Sequence, residues 1–341
     1  METIDLPQAA RLGTLPDLPS GAFTAERLLA RNASGTTALH LIARHGGLKV
    51  LPPALLTEAH LTVRNDAGYT PLHHAAESGH LGDVPGELLR ADLLVSASNS
   101  GYTVFHVAAA NGHLDQIPAE LITAEVILAK NHLGNTLLHE AAENGTLDRV
   151  PAEFVTGDHC RHRNLGGETV LHVAALNGHL NQLPPSLLTA GLLLEKTTAG
   201  DTVIHAAAIA GHLEQIPASL LTPDHLVIAS KSGFTAIHAA AESGQLAKIP
   251  RAYLTADLLL TRNDNGDTPL HAAAYEGHLD QVPLALLTAE NLNARNYDGV
   301  SVGRTAITRG FAEQIPVALR PKTPGPLRRF LERNGLLRPP F

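Results

Sequence analysis

Leu270, Ala273 and Ala274 fall on one stripe of a helical period, within the segment NDNGDTPLHAAAYEGHLDQVPLALLTAENLNAR from Asn263 to Arg295. Nearly every other stretch of the chain can be written beneath that segment without a gap. Stepping back from Gly266 by 33 residues lands on Gly233, Gly200, Gly167, Gly134, Gly101, Gly68 and Gly35, and one step forward lands on Gly299. Nine units therefore stand in register, and a fixed period of roughly 20 to 50 residues marks a solenoid whose units contact only their neighbours. Length here counts repeats rather than globular domains.

Within a unit, Thr268 is a good N-cap, Pro269 suits the first helical position and Gly277 ends the helix. The threonine recurs as Thr37, Thr70, Thr103, Thr136, Thr169, Thr202 and Thr235, and His271 recurs as His40, His73, His106, His139, His172, His205 and His238. Ahead of the first full unit, Ala9 to Glu26 repeats the same pattern without its front third, an N-terminal half-repeat (residues 1–31) that closes the stack. Eight units follow over 32–295. The ninth, 296–319, is degenerate, with Ser301, Val302, Gly303 and Arg304 standing where Thr, Pro, Leu and His stood.

Gly68-Tyr69-Thr70-Pro71-Leu72-His73-His74-Ala75-Ala76-Glu77-Ser78-Gly79-His80 and the Gly266 unit match the G-x-T-P-L-H-x-A-A-x-x-G-H core of the ankyrin repeat family, which the chain resembles over roughly residues 5 to 319. The resemblance implies an all-α solenoid of antiparallel helix pairs, with hairpin-like loops projecting sideways and a concave surface that binds other proteins. It also implies that the Leu-His histidine bridges loops by hydrogen bonds, including one to the threonine three residues earlier.

The second half of the unit departs from that pattern. An aliphatic residue followed by proline recurs ten times, from Leu18-Pro19 to Ile315-Pro316, where a second helix would run. Interior proline costs about 3 kcal/mol, so ten would cost on the order of 30 kcal/mol against a usual net stability of ~5 to 15 kcal/mol. The helix must restart at the proline. We expect a turn at His278 to Gln281 and a short helix from Pro283 to Leu287 with Leu286 and Leu287 facing the core. A further single helical turn, capped by Thr288, should end near Leu292.

Composition narrows the function. The residues AVILMFWYC make up 44% but aromatics only 4%, and Trp is absent, so small aliphatic side chains must fill the core. The net charge is −8, yet six of the 25 Lys and Arg lie after Leu319 against one acid, Glu332. The acidic body argues against a nucleic-acid groove. The basic stretch 320–341 reads either as a helix over 326–337 capping the ninth repeat or as a free segment engaging a partner, membrane surface or nucleic acid. No secretory signal or membrane-spanning apolar run is evident, so a cytoplasmic location is expected, with secretion by a signal-free route left open.

Chemistry is not called for. Thirteen of the 20 histidines occupy repeat positions, and helices packed about 8 to 10 Å apart cannot bring equivalent histidines to one metal whose ligands lie about 2 Å away. Cys160 occupies the place of Leu292 and Ile127, a buried apolar position rather than a nucleophile. His139-Glu140-Ala141-Ala142-Glu143 lacks the second histidine of a zincin helix. We expect neither enzyme activity nor a cofactor.

Recognition is expected where the units differ. The residue after the period-marking glycine supplies Tyr69, Tyr102 and Phe234, aromatics on projecting loops that suit interface anchors but are also common as isolated exposed rings. On the first helix, Val107, Val173, Leu176 and Ile209 form an apolar strip with Glu140, Glu143 and Glu276 among its acidic rim and Tyr275 beside it. Such a strip suits a partner protein presenting an apolar segment flanked by Lys or Arg. The alternative is that these aliphatic residues pack against neighbouring helices. A self-assembling structural role is the other reading of the whole chain.

Overall fold

A computed structural model describes residues 5–320, which are mostly helical. The described residues fall into two compact units, one running up to Leu165 and including Gln182–Pro184, the other made of Gly166–Asn181 and the residues from Pro185 onward. The helix expected over 326–337 lies outside the described residues. Among the described residues no helix is long and apolar enough to cross a membrane.

Each repeat opens with a hairpin-like loop and a first helix. In the first unit these helices are Ala38–Arg44, Pro71–Glu77, Val104–Asn111 and Leu137–Asn144. In the second they are Val170–Asn177, Val203–Ala210, Ala236–Glu242, Pro269–Glu276 and Val302–Arg309. Consecutive helices within a unit pack side by side, and Leu6–Leu12 packs on Ala38–Arg44 with Leu6, Ala9 and Ala10 buried. Alanines let the helices approach closely: Ala273 and Ala274 are fully buried beside Leu270, as are Ala108 and Ala109 beside Phe105. This is how a core can form with few aromatics.

The loops are stitched together by backbone. Asn263 Oδ1 accepts from the amides of Asn265 and Asp267 at 2.9 and 3.0 Å, which shapes one hairpin. The Tyr297 amide then donates to the Asn265 carbonyl of the preceding hairpin at 3.1 Å, and in the first unit Leu165 does the same to Leu133 at 2.9 Å.

The proline divides the second half as the sequence requires, but more finely than expected. Val282-Pro283 is an extended dipeptide between two 3-10 turns, Leu279–Gln281 and Leu284–Leu286. Proline drives the residue before it into extended conformation and withholds its own amide. Only four residues separate Pro283 from Thr288, which leaves room for one 3-10 turn rather than the expected helix to Leu287. Leu287 is buried, whereas Leu286 is only half-buried. The final turn, Ala289–Leu292, forms as expected, with Thr288 accepting from the Asn291 amide at 3.2 Å.

The part played by the glutamine that precedes many of these dipeptides is visible only in the fold. Gln116 Nε2 donates to the Gly79 carbonyl at 2.7 Å, and Gln215 Nε2 to the Gly178 carbonyl at 2.6 Å. A helix end in one repeat is thereby capped from the next.

Candidate functional site

The threonine and histidine of each repeat form a fixed polar frame. The Thr268 amide donates to His271 Nδ1 at 3.2 Å, while the His271 amide donates to Thr268 Oγ1 at 3.4 Å. This is a reciprocal capping box with histidine in the usual Glu or Gln position. Because an amide can only donate, Nδ1 is the acceptor and the ring proton sits on Nε2, which donates to the Val300 carbonyl of the next loop at 3.1 Å. His40 and His73 repeat the arrangement toward the carbonyls of Tyr69 and Tyr102, each at 3.0 Å. Burial holds His271 below the usual imidazole range and lowers His40 and His73 to about 4. These neutral, buried imidazoles are framework.

Several residues expected at the surface belong to that framework too. Glu140 is 3% exposed, and Asn131 Nδ2 and Asn135 Nδ2 donate to its Oε1 at 2.8 and 3.0 Å. The Tyr102 hydroxyl senses the same carboxylate. Burial chiefly, then the Glu140 charge, pushes that hydroxyl up to about 12. Glu140 is thus a lock between hairpin and helix rather than part of an acidic rim, because both its loop neighbours are amide donors. Val107 and Val173 are buried, at 9% and 6% exposure, so the apolar strip does not extend to them. Tyr69 is half-buried with its ring edge-on to His73 at 5.2 Å.

The rest of the expected positions remain open. In the first unit Glu143 is exposed. In the second, Leu176 and Ile209 are 37% and 52% exposed at equivalent places on adjacent helices, and Tyr275 and Glu276 are also exposed. Phe234 is half-buried, its ring 5.3 Å from that of His238. Phe234 and Tyr275 come together in one groove of about 400 Å³ that Glu242, Asp267, Val300 and Arg309 also line. Arg309 lies over the Tyr275 ring at 3.7 Å and donates through Nε to the Tyr275 carbonyl at 3.2 Å. The Glu242 carboxyl is held above its ordinary range by partial burial and by the nearby Glu276 charge. Nothing in the sequence around Arg309 signals that it folds onto Tyr275.

Cys160 is fully buried and burial pushes its thiol up to about 12, which disfavours the thiolate that a nucleophile requires. Among the described residues no group of three or more His, Cys, Asp or Glu is placed to hold a metal ion.

Comparison with known families matches two parts of the chain. A model described as ankyrin repeats in three copies matches residues 19–86, and a single ankyrin repeat matches residues 265–297. Among curated proteins, none matches the chain.

Proposed function

The chain contains ankyrin repeats, which are generally protein–protein interaction modules, and on that premise we propose that it is a non-enzymatic scaffold that binds a partner protein through exposed first-helix and loop positions. The observation that carries this reading is the pair Leu176 and Ile209, large aliphatic side chains left exposed at equivalent places one repeat apart on adjacent first helices. Burying such side chains contributes about 1.5 to 3 kcal/mol each, which makes them candidate anchors. Glu242, Tyr275 and Glu276 continue the same face in the second unit. Aliphatic anchors beside carboxylates favour a partner whose apolar segment is flanked by Lys or Arg.

The test is capture of partner by the whole chain and by a Leu176→Glu plus Ile209→Glu variant. Both positions are exposed, so the variant keeps its fold and loses the partner. A folded variant that recovers the same partner in the same amount contradicts the reading.

A further inference from the structure

We propose that the groove walled by Phe234 and Tyr275 receives an arginine side chain of the partner protein, with the guanidinium paired to the Glu242 carboxylate. This deepens the protein-binding reading and rests on it. The repeat supplies an internal comparison, since Glu77 and Glu242 occupy the same place in their units, five periods apart. At Glu77 the equivalent residue of the preceding repeat is Arg44, whose Nη2 donates to Glu77 Oε1 at 2.8 Å. At Glu242 the equivalent neighbours are Ile209 and Tyr275, and neither is a cation. Among the described residues neither Glu242 nor Glu276 forms an ion pair. A position that takes a guanidinium from its own chain at one place therefore has none at the other, where it opens into a groove instead.

The kind of cation follows from how this molecule uses its own. At the equivalent position the cross-repeat pair is made by a guanidinium, Arg44 meeting Glu77 at 2.8 Å. The same groove already stacks one guanidinium, Arg309, on Tyr275. A planar, weakly hydrated guanidinium can face a ring and pair with a carboxylate together, which a compact, strongly hydrated ammonium does poorly. Arg309 is held by the Tyr275 carbonyl, and the influences on Glu242 are burial and the Glu276 charge. Partial burial and Glu276 already disfavour the isolated Glu242 charge, and an incoming cation relieves both.

The test is methyl NMR of the full chain titrated with N-acetyl-arginine methylamide and with its lysine counterpart. The Val300 methyl signals, at the groove, report occupancy. The arginine compound should shift them saturably with a Kd of about 1 to 10 mM, and the lysine compound should bind about threefold more weakly or less. Glu242→Gln should abolish the shift, and Glu77→Gln, whose carboxylate is already engaged, should leave it. Equal shifts for both compounds, persistence in Glu242→Gln, or no shift at all overturns the proposal. A shift that appears only after residues 320–341 are removed assigns the groove to the chain's own basic segment and also overturns it. Failure here is distinct from failure of the protein-binding reading, because partner capture through Leu176 and Ile209 is measured without arginine.

Discussion

His238 donates its Nε2 proton to the backbone carbonyl of Asp267, 29 residues further on, at 3.0 Å, while its Nδ1 lies 2.7 Å from the hydroxyl of Thr235. One neutral ring thus joins a helix start to the loop of the following repeat. Protonating Nδ1 would remove its acceptor and place a charge where burial disfavours it.

Stability should therefore fall with acid. Burial lowers His40 and His73 to about 4, and lowers His106, His205, His238 and His271 as well. Below the unfolded value of about 6.5 the unfolded chain binds more protons than the folded one, and each neutral histidine then loses about 1.4 kcal/mol of stabilisation per pH unit. The contribution is complete above about 6.5 and disappears as pH falls toward 4. The urea midpoint should be clearly lower at pH 5.5 than at pH 7.5. Equal midpoints would show that these rings are not held neutral.

Glu140→Ala should destabilise the first unit by about 1 to 3 kcal/mol, because Asn131 and Asn135 lose the acceptor their side-chain amides share. Tyr102 should then titrate closer to pH 10, since the Glu140 charge that helps to raise it is gone while burial remains. Denaturant unfolding and ultraviolet titration of tyrosine check the two effects. An unchanged unfolding midpoint would return Glu140 to the surface.

Alanine at Gly266 should cost more than alanine at Gly299. Both glycines have positive φ, +75° and +74°, so each substitution carries the left-handed penalty of about 1 to 2 kcal/mol. At Gly266 a Cβ would also lie 2.8 Å from the Tyr297 amide nitrogen, which donates in the ladder between hairpins, whereas at Gly299 it meets open space. Equal unfolding midpoints for the two variants would contradict the close approach of the loops.

Cys160 should react with thiol reagents only when its repeat opens. It is fully buried with its thiol pushed up to about 12, so native-state labelling should be slow and should accelerate through the urea transition. Rapid labelling in native buffer would show a different environment.

The period, the helix starts and the proline-divided second half were legible because each rests on a local rule repeated along the chain. Thr268 and His271 mark a cap, and Val282-Pro283 forbids continuous helix whatever its neighbours. Glu140 misled because its fate depends on Asn131 and Asn135, which come from the preceding hairpin and are unremarkable in sequence. Val107 and Val173 misled because one side of a helix can be covered by a neighbouring element that period alone does not locate. Leu176 and Ile209 are exposed, while the groove at Phe234 and Tyr275 depends on a stacked pair, Arg309 and Tyr275, formed between a degenerate unit and a regular one.

Recognition through Leu176 and Ile209 is decided by the affinity of the recovered partner for the whole chain and for Leu176→Glu plus Ile209→Glu, measured alongside the urea midpoint of each. The expected result is an unchanged midpoint and at least about a tenfold loss of affinity, the equivalent of about 1.4 kcal/mol. An equally stable variant that binds with undiminished affinity would contradict it.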